Sequence, residues 1–424
     1  MYKLLSDLFP FNRSITGEGV RQTINRISAE IPLKVSTFES GLNVFDWTVP
    51  HEWNVKSAKI YDPDDRVVVD FETNNLYLMS YSIAIDTVLS LDQLLKHIVT
   101  DATRPDWIPY STSYYNDHWA FCLPYNFVKK MLKGEYRVVI DSTKQPGSLN
   151  YAEAFIDSGS EKEVLISSYI CHPSMANDSL SGVVLAVQLY KELIKVDNLK
   201  YNYRFLFAPE TIGTICFLYK NRETIKSNLE YGLVATCVGD SGQFTYKETK
   251  NEKSKINRVV ENIFNEKELN GKIVKFSPLG SDERQYCSPG FDLDVGALTR
   301  SIYGSFPEYH TSADDLSFVS QDNLNESLAV YLKVIMTYEL NCKFLRSNPF
   351  CEPQLGKYNL YRTVGGGGED NLEVKLQQRM WLLNYADAKT DLLTISEKSG
   401  FSALELAVTS LELIEAGLIT KALK

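Results

Sequence analysis

The chain has 424 residues, 44% of them hydrophobic, which at roughly 100 to 200 residues per domain is material for two to four globular domains. Its 44 Lys and Arg against 54 Asp and Glu leave a net charge of −10, which argues against a surface built to embrace nucleic acid or anionic lipid. The opening MYKLLSDLFPFNRS breaks its apolar run at Ser6, Asp7 and Pro10, too early for a secretory segment, and no later run approaches the roughly 20 apolar residues that span a bilayer. No repeat of fixed period is visible, which excludes a solenoid. Residues 17–31 carry Val20, Ile24, Ile27 and Ile31 at helical spacing, so a helix is expected there. From 41 to 127 the pattern changes to short β-rich runs (58–61, 66–71, 76–81) separated by Asp, Pro and Asn turns, which reads as an inserted β-rich domain. Its end, RPDWIPYSTSYYNDHWAFCLPYNF, is dense in Tyr and Trp and serves either as buried edge packing or as a substrate-facing wall.

Between 136 and 343 strands alternate with helices, the pattern of an α/β domain with a mostly parallel central sheet flanked by helices. Strands are expected at 136–140, 164–170, 203–208, 232–238, 273–276 and 295–299, and helices at 180–195, 214–226, 255–266 and 322–341. Residues 1–40 and 128–350 then make one discontinuous domain. Beyond SNPFCEPQLGKYNLY and a flexible glycine run at 365–368, three helical segments (377–385, 392–399 and 402–415) have winged-helix spacing, giving a separate domain over 351–424. A groove-reading helix needs Arg, Lys, Asn or Gln, yet SALELAVTSLELIE carries Glu405, Glu412 and Glu415 and no base. Its apolar Leu404, Leu406, Ala407, Leu411, Leu413 and Ile414 exceed one narrow face, so some are expected to dock on the catalytic domain or on a second subunit of a homo-oligomer. The seven cysteines contain no CxxC and read as reduced, buried thiols of a cytoplasmic protein.

Ligands of an open parallel sheet collect at the carboxyl ends of its strands. There the sequence places His172 and Asp178 in CHPSMANDSLSG, Glu210 in PETIG, Asp240 after 232–238, and His310 in PEYHTSADDL. Singly each has a plain alternative: a turn histidine at His172, a helix cap at Asp178, a first-turn acid at Glu210, a turn former at Asp240. Together, imidazoles and carboxylates at successive strand ends are the donor set of a catalytic zinc with an open position, where a closed structural site would call for thiolates. His51, His97 and His118 are read as turn, helix and aromatic-loop residues, with His118 next to an Asp117 that could orient it.

The segments His172 with NDSLSG, FAPETIG, VGDSG, GSDERQYCSPG and EYHTSADDL resemble the zinc exopeptidase pattern of bacterial aminopeptidases, glutamate carboxypeptidases and glutaminyl cyclases. LFPFNRSITGEG, VFDWTVPHEWNV, DWIPYSTSYY and CEPQLGKYNLY more closely resemble a bacterial aminopeptidase-like family with an inserted β domain and a C-terminal winged helix, whose members often carry a polysaccharide-biosynthesis label. The resemblance implies metal ligands at His172, Asp178, Asp240 and His310, Glu210 as general base, and a substrate-binding loop with Asp282, Glu283, Arg284 and Tyr286. It also carries two departures: the pattern's aspartate falls nearer Thr236 than Asp240, and its Glu-Glu-x-Gly is here Glu210-Thr211-Ile212-Gly213, which removes one second-metal ligand. One zinc ion rather than two is therefore expected. Arg284 either clamps a substrate carboxylate or pairs with Asp282 or Glu283. Tyr309 is read as packing.

The expected function is metal-dependent hydrolysis of an amide, aminopeptidase-like, on a small molecule or short peptide or an aminoacylated sugar-linked substrate, with no nucleic-acid or membrane partner. The alternative is a non-catalytic carbohydrate-pathway binding or scaffold protein on the same fold. A DNA-binding regulator rests on helix-turn-helix topology alone.

Overall fold

A computed structural model describes residues 1–266, 269–360 and 370–422; the glycine run at 365–368 lies outside them. Two compact units divide the chain, Met1–Glu252 with Lys272–Ala329, and Lys253–Gly271 with Val330–Lys424. The first holds an eight-stranded mixed, mostly parallel sheet in the order Lys34–Glu39, Ser148–Ile156, Asn202–Ala208, Glu163–Tyr169, Leu229–Ala235, Val295–Thr299, Thr245–Lys247 and Lys272–Val274. The four strands from Asn202–Ala208 to Val295–Thr299 run parallel, so their carboxyl ends share one edge. Every residue of Glu163–Tyr169 is buried, as a strand covered on both faces requires.

Gly182 opens the helix Gly182–Leu193 directly against this edge. A Cβ there would lie 1.9 Å from the Ala235 carbonyl oxygen, so only glycine lets the helix approach the strand end. The strand expected at 232–238 runs from Leu229 to Ala235 and ends earlier than its apolar run suggests, which puts Thr236 and not Asp240 immediately after it. The helix expected at 214–226 is two, Ile212–Lys220 and Arg222–Asn228.

The strand expected at 136–140 in the parallel sheet belongs instead to Glu135–Gln145, the centre of a four-stranded antiparallel sheet with Glu52–Tyr61, Val67–Asp70 and Ile85–Ser90. Buried and open positions alternate over Tyr136 to Ser142, the signature of a sheet wetted on one side. Residues 41–127 thus complete their sheet with chain beyond 127, and Trp53, Val69, Trp119 and Phe121 share one core with Leu165 and Leu206 of the central sheet.

In the second unit Asp387–Asp391, Lys343–Arg346 and Ile419–Lys421 form a three-stranded antiparallel sheet with the helices Asp370–Tyr385, Leu392–Ser399 and Ala403–Glu415, a winged helix. Phe344, Leu382, Leu392, Ile395, Leu406, Leu413 and Ile419 fill its core, and Gly400 ends the helix Leu392–Ser399 in the left-handed conformation. This unit begins before the expected boundary at 351 because Lys343–Arg346 is its central strand. It also takes in the helix Lys255–Phe264, whose Arg258 pairs with Glu397 at 2.9 Å and whose Asn262 donates to Ser396 at 3.1 Å. Of the seven cysteines five are buried, while Cys342 is half-buried and Cys351 exposed. Among the described residues no helix is long and apolar enough to cross a membrane.

Candidate functional site

Three parallel strands deliver the site. Glu163–Tyr169 leads to His172 and then to Asp178, Asn202–Ala208 leads through Pro209 to Glu210, and the loop after Val295–Thr299 carries His310. Ligand atoms of His172, Asp178 and His310 lie within 4.8 Å of one another. His310 Nε2 is 3.0 Å and His172 Nε2 4.0 Å from Asp178 Oδ2, and Glu210 Oε2 lies 3.9 Å from His172 Nε2. Asp178 Oδ2 and His310 Nε2 are both buried, and beyond each other neither has a polar partner. Buried polar atoms left unpaired at a convergence of imidazole and carboxylate are what a cation-binding site presents before its cation is counted, and the donor set fits zinc. Cys171, His172 and Glu210 form a second, overlapping group. Burial pushes the Cys171 thiol well up and keeps it protonated, which makes it the poorer ligand.

The electrostatics follow from burial and charge. Burial pushes the His172 imidazole down to about 4, against the pull of Asp178 and with a further push from His310 and Arg13, so the ring is in its neutral, ligating form. Burial alone would raise Asp178, but His172, His310 and the Tyr169 hydroxyl outweigh it and hold the carboxylate at about 2. Burial, Asp282 and Asp178 raise Glu210 well above the usual carboxylate range. A cation beside it would reverse that shift. Ser281 Oγ donates to Glu210 Oε1 at 2.8 Å and fixes the side chain.

Residues not singled out in the sequence hold this group in place. Asp314 accepts from the backbone N–H of Asn177 at 2.6 Å and of Asp178 at 2.9 Å, and burial pushes its own carboxyl up to about 8. Tyr169 donates its hydroxyl to Asp178 Oδ1 and accepts from Thr236 Oγ1 at 2.9 Å. Arg13, fully buried, donates Nε to the His172 carbonyl at 2.9 Å. Tyr110 places its ring 5.4 Å from His172 and 5.1 Å from His310, and its N–H donates to the His310 carbonyl at 2.8 Å. Asp314, Arg13 and Tyr110 lie inside motifs quoted from the sequence, whereas Tyr169 sits within an apolar strand run that no local signal marks.

Asp240 is not brought to the group. Its Oδ1 accepts from Gly242 N–H and Ser301 Oγ, both at 2.6 Å, and its Oδ2 from Asn177 Nδ2 at 2.8 Å, so it is the turn former of the plain alternative. Of the four loop residues expected to bind substrate, Arg284 lines the cavity over His172, Glu210 and His310. Asp282 caps the turn at Thr211, accepting from its N–H at 2.7 Å and from Thr214 Oγ1 at 2.8 Å. Glu283, fully buried, pairs with Lys247 at 2.7 Å, and Tyr286 shares a 3.0 Å hydrogen bond with Ser167. Tyr309 stacks on His310 at 3.9 Å, as packing requires. Asp117 pairs with Lys144, and His118 stacks instead on His97.

A cavity of about 510 Å³ opens over His172, Glu210 and His310. Its outer wall is Trp47, Tyr110, Tyr114 and Tyr115, so the aromatic stretch supplies a cavity wall as well as the buried Trp119 and Phe121. The same stretch clamps the His310 loop: Arg104 donates to the carbonyls of Pro307 at 2.8 Å and Tyr309 at 2.9 Å, and Ser312 Oγ accepts from Ile108 N–H at 3.0 Å.

A zinc-aminopeptidase-like α/β sheet, with His, Asp and Glu gathered at its carboxyl edge and a winged helix behind it in sequence, defines an aminopeptidase-like protein. BSAP, a zinc aminopeptidase from Bacillus subtilis, shares the fold at a TM-score of 0.56 and 10% identity, over 80% of this chain and 93% of that one. The chain belongs to the family described as a domain of unknown function, DUF4910, which matches residues 2–341, and a winged helix-turn-helix family matches residues 343–421. A Clostridium acetobutylicum protein named for polysaccharide biosynthesis and an aminopeptidase-like domain is 46% identical over 98% of this chain and 95% of its own length. A crystal structure from the same organism, described provisionally as a peptidase, matches at TM-score 0.93 and 44% identity over 99% of this chain and 96% of that one.

Proposed function

We propose that the chain is a metal-dependent amide hydrolase of aminopeptidase type, with one zinc ion held by His172, Asp178 and His310 and with Glu210 as general base. The observation that carries this is the pair of buried ligand atoms Asp178 Oδ2 and His310 Nε2, 3.0 Å apart with no partner beyond each other, converging with His172 and Glu210. Zinc bound there supplies a Lewis acid for a carbonyl and for water. Glu210, steadied by Ser281, takes the proton of the attacking water and returns it to the leaving amine. Tyr169 and Asp314 keep Asp178 oriented as a ligand, the supporting role that carboxylates and hydroxyls commonly play around a metal. The aromatic wall suits a short peptide or a sugar-linked aminoacyl group, and the polysaccharide-biosynthesis name of the Clostridium relative favours the sugar-linked one. The same reading keeps the chain cytoplasmic, off membranes and nucleic acid, with self-association through the winged helix.

Thr211 and Thr236 favour a second reading. Both are neutral where the peptidase pattern has acidic ligands, which supports a non-catalytic carbohydrate-pathway binding protein. Elemental analysis of purified chain after incubation with zinc separates the two. About one zinc per chain, lost in the His172→Ala, His310→Ala double variant, is expected. Metal-free wild type, or full retention by the double variant, counts against the hydrolase.

A further inference from the structure

Arg284 is the cation of the cleft that the proposed chemistry leaves unused. Both carboxylates of its own loop are committed elsewhere: Asp282 to Thr211 and Thr214, Glu283 to Lys247 and, at 2.6 Å, to the Tyr303 hydroxyl. Among the described residues no contact ion pair joins Arg284 to an acid, although its charge pulls on the Glu210 and Asp282 carboxyls. Its guanidinium makes one side-chain hydrogen bond, Nη2 to Thr211 Oγ1 at 2.9 Å, while its Nε is buried without a partner. A guanidinium carries five N–H donors in a planar fork, and leaving a buried one unpaired costs free energy that a carboxylate, meeting two donors at once, would offset.

Where the side chain sits gives this its meaning. Thr211, which it touches, directly follows the base Glu210. Arg284 lines the cavity over the metal ligands and also a second one of about 540 Å³, and the two share Trp47, Thr211 and Arg284. The second cavity is walled by Trp47, Phe276, Pro278 and Pro289, an apolar surface. At the free side of the guanidinium a substrate ammonium would meet a like charge and an anion its complement, while Glu210 and Asp282 are the acids that face Arg284 from the Thr211 side.

We propose that Arg284 reads a carboxylate of the substrate close to the scissile amide, so that the site takes anionic amides whose remaining part extends into the apolar second cavity. This rests on the hydrolase reading for the word substrate, but not for the binding. Arg284 is here a specificity-determining residue.

The test is equilibrium binding by tryptophan fluorescence to the full chain carrying Glu210→Gln, with hippurate and hippuramide as probes, which differ only in carboxylate against carboxamide. Hippurate should bind at least about tenfold more tightly, Arg284→Gln should bring the ratio near one without moving the melting temperature, and Arg284→Lys should restore part of it. Equal affinity for the two probes, a ratio that survives Arg284→Gln, or no binding of either below about 10 mM would overturn the proposal. Inorganic phosphate binding more tightly than hippurate would overturn the carboxylate assignment. None of these readouts needs turnover: a wild-type chain that binds hippurate selectively yet cleaves no amide sinks the hydrolase alone, and one that cleaves neutral amides without the preference sinks this proposal alone.

Discussion

Glu210 faces His172 at 3.9 Å with one oxygen and is pinned by Ser281 with the other, so its geometry can be separated from its protonation. Glu210→Gln keeps shape and hydrogen bonding but cannot shuttle a proton, and turnover of any amide substrate should fall by on the order of 10² to 10⁴ with zinc content unchanged. A near-normal rate in that variant would assign the base elsewhere. His172, Asp178, Glu210 and His310 were legible because each follows a strand end, where an unexplained polar residue stands out against an apolar run. Asp240 does not join them for a local reason: Cys237 and Val238 prolong the apolar run past Ala235 while the strand itself stops there, so the edge position falls to Thr236 and Asp240 lies beyond it. Arg13 and Tyr110 act across 159 and 200 residues of sequence on His172 and His310, a distance at which no spacing rule operates. The backbone carries its own signature there, since Thr211 and His310 hold φ of 63° and 55°, conformations that non-glycine residues adopt where surrounding contacts enforce them.

At the scale of elements, the approach of the helix Gly182–Leu193 to the end of Leu229–Ala235 depends on one missing methyl. Gly182→Ala places a Cβ into the Ala235 carbonyl, and overpacking of this kind costs about 1 to 3 kcal/mol, to be read as a lower urea midpoint at unchanged slope. An unchanged midpoint would mean that the helix can shift without penalty. The helix Glu18–Ser28 is tied to the strand Glu52–Tyr61 by Arg21, whose guanidinium meets both Glu52 oxygens at 3.0 and 2.7 Å. Arg21 first, helped by Asn54 and the Ser148 N–H and opposed by burial, brings the Glu52 carboxyl from 4.5 down to about 2. A folded-state value below the unfolded one means stability present above about pH 4.5 and lost as pH falls toward about 2. The wild type should therefore exceed Glu52→Gln by about 1 to 2 kcal/mol at pH 6, a solvent-screened figure, and the gap should narrow by pH 3; a gap of constant size would assign it to packing. The helical stripe at Val20, Ile24 and Ile27 was readable from period alone. The sheet to which Glu135–Gln145 belongs was not, because strand type shows in the alternation of EYRVVIDSTKQ whereas the partner is set by Glu52–Tyr61, far back in the chain.

For the whole molecule, the winged helix raises the question of a nucleic-acid partner, and charge answers it more directly than topology. Residues 371–424 contain six basic and seven acidic side chains, and two of the bases share one acid, Lys375 at 3.1 Å and Arg379 at 2.6 Å from Glu412 on the very helix that would enter a groove. That helix, Ala403–Glu415, buries Leu406 and Leu413 and presents Val408 and Leu411 at 63% and 60% exposure, an apolar outer face where phosphate binding would require cations. Sequence alone carried the absence of base-reading residues, while the Glu412 pairings needed the fold, since helix Asp370–Tyr385 reaches Glu412 only after the chain has turned back on itself. Fluorescence anisotropy of the full chain with mixed duplex DNA at about 0.15 M salt should give nothing tighter than the non-specific range of about 10⁻⁴ to 10⁻⁶ M. Because an ion pair within the helices competes with phosphate for the same cations, Glu412→Gln should at most steepen the salt dependence by about two released counterions without creating sequence preference. Sequence-selective binding by the wild-type chain at that salt would revive a regulatory role for this domain.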